Sequence, residues 1–366
     1  MKPAKTNRIE SLDLVRGVSV LMMIPMHTML MYGSLDTWEH SWLGSVMKIV
    51  EKGSPMFLVV MGISFAFSKR NTVSDIALRG LKILAFGYLL NLVRYVIPLS
   101  LDLIPHEIIT LNQLEVGDWK TTLHFFLLGD ILQLAGLSLL FLAFIKPITK
   151  YRFTLIILAI AIVLSSKTLS GTHVGIPPID YIFDLLWGTD FNVYFTFFPW
   201  TSFILVGLYF GRIYHEEHNA KKMYWQMLIA GIGFFITGLI LCYIDYDYHF
   251  GDYYHLGPGG FLLLIGINLF LVWLAQQICA HTAGGWFRRF CTFCSKNVTS
   301  FYLMQWIIIN YGLTVFGFAC QGPQGVLLAM ISITLLTLGV IYLPQQIATI
   351  NQLFMTKSKK ILIKKG

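Results

Sequence analysis

The chain has 366 residues, of which 56% are hydrophobic and only 13% charged, with a formal net charge of +8 and a mean hydropathy of +0.67. A soluble domain carries roughly a quarter charged residues, so this composition excludes an ordinary water-soluble protein. The surplus Lys and Arg fall in particular loops, which reads as membrane topology rather than as a nucleic-acid surface.

Apolar runs of about twenty residues, enough to cross a hydrocarbon core of roughly 30 Å, recur along the whole chain. They predict spans near 12–32, 42–67, 81–101, 122–145 and 153–169, then 192–211, 223–244, 259–279, 298–318 and 326–343. Lys2, Lys5 and Arg8 precede the first span, Lys69, Arg70, Arg79 and Lys82 surround the second connection, and Lys146, Lys150 and Arg152 mark the fourth. Arg212, Lys221 and Lys222, then Arg288, Arg289 and Lys296, continue the series to a basic tail over 344–366. Every other loop is basic, and cytoplasmic loops are the ones enriched in Lys and Arg. The expectation is an all-α polytopic bundle of about ten transmembrane helices, one domain over 1–366, with both termini cytoplasmic. The first span is too long and too closely followed by others for a cleaved signal peptide.

The outer connection from Asp245 to His255 is acidic, aromatic and His-bearing, which fits a membrane interface better than a metal site. Cys291 and Cys294 form a lone CxxC, half of a usual zinc site and without the βαβ context of redox motifs. No metal is expected, and no internal repeat divides the chain.

Ionisable side chains inside a bilayer are costly, so they face a bundle interior, a cavity or a substrate path. The first span holds Asp13, Arg16 and His27, the third Asn91 and Arg94, and the fourth His124, Asp130 and Gln133; Asn268, Asn297, Gln305 and Asn310 follow. Arg16 and His27 lie eleven residues apart, close to three α-helical turns, so both project from one face, roughly 16 Å apart along the axis. An Arg at the inner mouth can hold phosphate, and a His beyond it can accept a proton near neutral pH. The alternative is snorkelling by Arg16 and a plain interhelical hydrogen bond by His27. Arg94 and Asp130 are placed to pair inside the bundle, structurally or in the cavity. Lys48, Glu51 and Lys52 are open between interface anchors and cavity lining, and His40 lies in the outer connection Trp38-Glu39-His40-Ser41-Trp42.

Ser11-Leu12-Asp13-Leu14-Val15-Arg16-Gly17, followed by Met23-Ile24-Pro25-Met26-His27, resembles the opening helix of the transmembrane acyltransferase superfamily, in particular membrane acyltransferase family 3. The run from Lys52-Gly53-Ser54-Pro55 to Met61-Gly62-Ile63-Ser64 resembles the second helix of the heparan-alpha-glucosaminide N-acetyltransferase group. Gly129-Asp130-Ile131-Leu132-Gln133, Phe198-Pro199-Trp200 with Gly207 and Gly211-Arg212, and Ser295-Lys296-Asn297-Val298 through Tyr302 follow in the same order. The resemblance implies an enzyme that carries an acyl group, usually acetyl from cytoplasmic acetyl-CoA, to a hydroxyl or amine of a sugar or glycan on the outer side. By carry-over Arg16 contacts the CoA phosphates, with Lys69 and Arg70 as further cofactor-binding candidates, and His27 is the base. In the heparan-degrading branch the reactive His follows the first helix, which makes His40 the runner-up. Asp13, Asn91, Arg94, Asp130 and Gln133 are the expected cavity or substrate residues, with Asn91 or Gln133 as oxyanion donors. General-base transfer and a covalent acyl-His intermediate both remain open.

The expected setting is a bacterial cytoplasmic membrane, with membrane lipid and a glycan or amino-sugar acceptor as partners, no nucleic acid, and room for an oligomer. The rival reading is a secondary transporter of a lipid or sugar with a proton path through Arg16, His27, Arg94 and Asp130; a scaffold protein is third.

Overall fold

A computed structural model describes residues 9–69, 71–149, 151–189, 192–282 and 284–363, with side chains as far as 344. The chain begins with α1 (Glu10–Tyr32), α2 (Leu35–His40), α3 (Trp42–Glu51) and α4 (Met56–Phe65). Then come α5 (Val73–Asn91), a π-helical segment (Leu92–Val96), α6 (Ile97–Ser100), α7 (His106–Leu111), α8 (Trp119–Leu127), α9 (Ile131–Ile145) and α10 (Phe153–Leu169). The second half holds α11 (Pro177–Trp187), α12 (Phe197–Glu217), α13 (Ala220–Ile244), α14 (Tyr246–Phe250), α15 (Pro258–His281), α16 (Trp286–Lys296), α17 (Val298–Phe316) and α18 (Pro323–Ile363). Among the described residues there is no strand, only two isolated bridges, Gly33 with Gln321 and Gly129 with Val193.

Among the described residues, five helical stretches are long and apolar enough to cross a membrane: Glu10–Tyr32, Val73–Ser100, Ala220–Ile244, Pro258–His281 and Pro323–Pro344. Their outer faces carry exposed Leu, Ile and Phe, as expected where lipid is the solvent, and the protein is an integral membrane protein. Each of the ten expected segments falls on helical structure, with three shifts: the helix expected from 81 begins at Val73, and two others follow. The helix expected from residue 192 starts at Phe197, because residues 192–194 are extended and paired with Gly129. The last helix does not stop at 343 but continues through Pro344 to Ile363.

Two seams hold the bundle. In the first, α4 packs on α12 with backbones nearly touching: a Cβ on Gly62 would run into the carbonyl of Ile204, and one on Gly207 into that of Val59. That contact is the physical reason for the glycines in both of those motifs. In the second, α1 is held by α16, α17 and α18, where Gly17 admits the backbone of Cys291.

The helices nearest the middle of the protein are interrupted. The α3 to α4 stretch breaks at residues 52–55, α8 to α9 breaks at 128–130, α5 loosens into the π segment at Leu92–Val96, and α1 carries Pro25. Each break frees backbone groups that a low-dielectric interior must re-satisfy.

Candidate active site

The α8 to α9 break shows how the sequence meets that demand. The Asn91 side-chain amide donates to the carbonyls of Phe126 (2.9 Å) and Leu128 (2.7 Å), and the Tyr181 hydroxyl donates to that of Leu127 (2.8 Å). Gln133 Nε2 donates to Leu128 O (3.2 Å), while the Tyr194 amide donates to Gly129 O (2.9 Å). Asp130 N-caps α9, accepting from the Ile131 amide at 2.7 Å, and Gln133 returns the contact by accepting from the Asp130 amide at 3.2 Å. A capping box normally found at a protein surface is thus buried inside the bundle.

Asp130 has a second task. Its Oδ2 accepts from Arg94 Nη2 at 3.1 Å and from the Tyr302 hydroxyl at 2.7 Å. Arg94 comes from the π segment, is 1% exposed, and also donates to Asn91 Oδ1. Its guanidinium lies over the Trp306 ring at 4.8 Å and the Tyr95 ring at 4.7 Å. Arg94 Nη1 has no hydrogen-bond partner among the described residues, and an unpaired buried donor is unfavourable unless a ligand meets it.

His27 stacks on Trp306 with ring centroids 4.3 Å apart and meets Tyr302 edge-on at 6.4 Å. Gln305 Nε2 lies 3.0 Å from His27 Nδ1, and Gln305 Oε1 is buried without a partner among the described residues. Tyr302, Gln305 and Trp306 are one turn apart on α17, so a single face of that helix holds the imidazole on one side and Asp130 on the other.

These groups open into a cavity of about 1310 Å³, larger than the roughly 300–1,000 Å³ of a usual single-ligand pocket. Arg16, Arg79 and Arg288 line one end, His27, Arg94, Asp130 and Trp306 the middle, and Glu51, Ser54, Tyr253, Tyr254 and Asn112 the other. Arg16 is held by α4, donating to Ser64 Oγ at 2.6 Å and to Val60 O at 3.4 Å. Arg288 caps α15 through the carbonyls of Ile278, Cys279 and Thr282 and reaches Glu10 at 3.2 Å.

Of the residues singled out from the sequence, Arg16, His27, Glu51, Arg94 and Asp130 line this cavity. The other site candidates do not. Asp13 is buried against α16, accepting from Ser295 Oγ at 2.8 Å. Asn91 and Gln133 both serve the α8 to α9 break outside the lining residues, and both Asn91 amide protons are taken by the carbonyls of Phe126 and Leu128. His40 lies on α2 with its side chain 77% exposed and 3.3 Å from Asp36. Lys69 is exposed outside the lining residues, and Arg70 lies outside the described residues.

The structure also adds residues. Trp306 lines the cavity; of the residues left open in the sequence, Glu51 lines it as well, whereas Lys48 pairs with Glu39 at 2.6 Å. In the Asp245 to His255 loop, read above as an interface segment, residues 245–248 are exposed, while Tyr253 reaches into the bundle. Tyr253 donates to Glu51 O at 2.8 Å and touches Ser54 Oγ, so it re-satisfies the α3 to α4 break together with Asn268, which donates to Lys52 O at 3.1 Å. The spacing of Tyr302, Gln305 and Trp306 was legible as a polar-aromatic helix face; the inward loop carries no such periodic signal. Cys291 and Cys294 are buried free thiols, and among the described residues no group of His, Cys, Asp and Glu side chains comes together to hold a metal ion.

No curated protein matches the chain. The sequence model described as heparan-alpha-glucosaminide N-acetyltransferase, catalytic, matches residues 8–241, well over half the length and every cavity-lining residue from Arg16 to Trp200. The chain belongs to the heparan-alpha-glucosaminide N-acetyltransferase catalytic family.

Proposed function

We propose that this protein is a membrane-embedded acetyltransferase that takes acetyl from acetyl-CoA at the cytoplasmic face and delivers it to an amino or hydroxyl group of a sugar on the outer side. The observation that carries the reading is that Arg16 and His27 line one cavity, with arginines at one end and the inserted Tyr253–Tyr254 loop at the other. In this reading the chain crosses a bacterial cytoplasmic membrane about ten times as a single domain, both termini and the basic 344–366 tail are cytoplasmic, and the arginine end faces the cytoplasm. The alternation of basic loops supports that orientation.

The donor fits the cavity by charge and by size. Arg16, Arg79 and Arg288 offer planar donors to phosphates, and the volume leaves room for an acceptor beside the thioester. His27 serves as general base. With the Gln305 amide turned so that its unpartnered Oε1 accepts the Nδ1 proton, His27 Nε2 keeps its lone pair. It then takes the proton of the acceptor N–H or O–H as the new bond to the acetyl carbonyl carbon forms. The C–S bond breaks, and the imidazolium returns its proton to the departing thiolate. Arg94 Nη1, an unpartnered donor on a guanidinium that shares the Trp306 ring with His27, takes the oxyanion role that the sequence had suggested for Asn91 or Gln133. Gln305 acts through the imidazole as a positioning residue.

The test is label transfer from radiolabelled acetyl-CoA to a panel of amino sugars by purified protein in nanodiscs. His27→Ala is expected to lower turnover by about 10²–10⁴-fold while retaining the thermal transition of the parent protein. Full activity of His27→Ala together with loss in His40→Ala moves the base to α2. Proton-driven sugar uptake without any acetyl transfer returns the transporter reading.

A further inference from the structure

Part of the cavity lining has a large exposed surface at mid-membrane depth. Met22 and Phe86 both line the cavity, and both are also surface residues, 41% and 45% exposed. Met22 lies close to the midpoint of the Glu10–Tyr32 stretch and Phe86 close to the midpoint of Val73–Ser100, two of the stretches long enough to cross the membrane. An opening at that depth faces hydrocarbon, since neither water nor headgroups are present there. It exists because α5 packs on α9 while α1 packs on α16, α17 and α18, which leaves a seam between α1 and α5. The wall behind the seam is apolar and adaptable: Val18, Met23 and Met26 from α1, Ile83 from α5, and Leu132 and Leu139 from α9. A pantetheine arm running from Arg16 to His27 would pass the α1 side of this wall, which leaves Ile83, Leu132 and Leu139 opposite it, and methionine-rich walls accommodate flexible chains.

We infer that the seam between α1 and α5 is a lateral entry for a hydrocarbon chain, and that the acceptor is a lipid-linked sugar whose tail lies between Met22 and Phe86 while its head reaches His27. The inference rests on the acetyltransferase reading for the chemistry at the head, but not for the passage of the tail. The assignment to the acceptor follows from depth. His27 lies one and a half turns beyond Met22 on α1, away from the arginine end. A lipid of the outer leaflet would place its head near His27, and its chain would end at mid-bilayer, where the seam opens. Acetyl has no chain to fill the seam.

The experiment uses the full chain in nanodiscs, acetyl-CoA, and glucosamine against its octyl and dodecyl β-glycosides. A site reached only from water sees less acceptor as the chain lengthens, because the bilayer removes it. A site open to the bilayer sees more. The expected result is a gain in kcat/KM of about tenfold or more from glucosamine to the dodecyl glycoside. Met22→Trp, which plugs the seam from a surface position, should bring that ratio down toward one. Leu81→Trp, on α5 but outside the lining residues and 54% exposed, should preserve it. Equal or falling efficiency with chain length overturns the proposal, as does a gain that follows the acyl length of the CoA donor instead. A dodecyl glucosaminide carrying a diazirine in its tail separates the two readings in His27→Ala, which does not turn over. Labelling at Met22 or Phe86 supports the entry even if no acetyl transfer is ever seen, and labelling absent from both residues overturns the entry even if transfer to free amino sugars is robust.

Discussion

The interrupted helices around the cavity and the unbroken pair α13 and α15 solve the same problem in opposite ways. Helix α13 runs from Ala220 to Ile244 without a break, and α15 runs beside it from Pro258 to His281. Their backbone groups are paired internally, and little is asked of their side chains beyond apolar packing. At the α3 to α4 and α8 to α9 breaks the freed carbonyls must be met from other elements. Asn91, Tyr181, Tyr253 and Asn268 do this from positions far apart in sequence, while Gln133 does it locally from the first turn of α9. Polar residues in a membrane bundle therefore have two distinct origins, chemistry and backbone repair, and the accounting of hydrogen bonds separates them. Arg94 Nη1 is left over after that accounting; the amide protons of Asn91 are not.

The contrast can be broken by mutation, most severely at the repaired break. Asp130→Ala strands the buried Arg94 charge and removes the cap of α9; a loss of about 3–5 kcal/mol is expected, read as a lower thermal transition in nanodiscs. A transition unchanged within a degree would mean that the pair is solvated rather than buried. Gly207→Ala, against the Val59 carbonyl, should cost roughly 1–3 kcal/mol by forcing α4 and α12 apart. Arg16→Ala should raise the KM for acetyl-CoA about tenfold, which corresponds to about 1.4 kcal/mol, with a smaller change in kcat; an unaltered KM would remove Arg16 from donor binding. The smallest effect belongs to the unbroken helix. Gly233 on α13 faces open space among the described residues, so Gly233→Ala should raise stability by about 0.5–1 kcal/mol through helix propensity alone. Destabilisation at Gly233 would show that this face is covered by a partner.

The residues that hold Arg16 and His27 on one wall were legible because helical periodicity is local: eleven residues bring a side chain back to the same face whatever surrounds it. Apolar runs located the helices, and Arg94, Asp130 and Gln305 stood out as polar residues inside them. It left open which of those positions repair backbone and which face a ligand, because that depends on where a break in one helix meets a side chain of another.

Hydropathy and spacing, both properties of short stretches of chain, were enough to determine from the sequence alone that this is an all-helical membrane protein with a cation and an imidazole on one helix face. Tertiary structure alone decided that Asp13 belongs to a helix seam and that Asn91 and Gln133 serve a helix break. It also decided that His40 stays outside, that the Tyr253–Tyr254 loop enters the bundle, and that a gap remains between α1 and α5. Those outcomes turn on which buried polar groups find each other and which helices pack together, and the pairings join residues tens to hundreds of positions apart that share no local pattern.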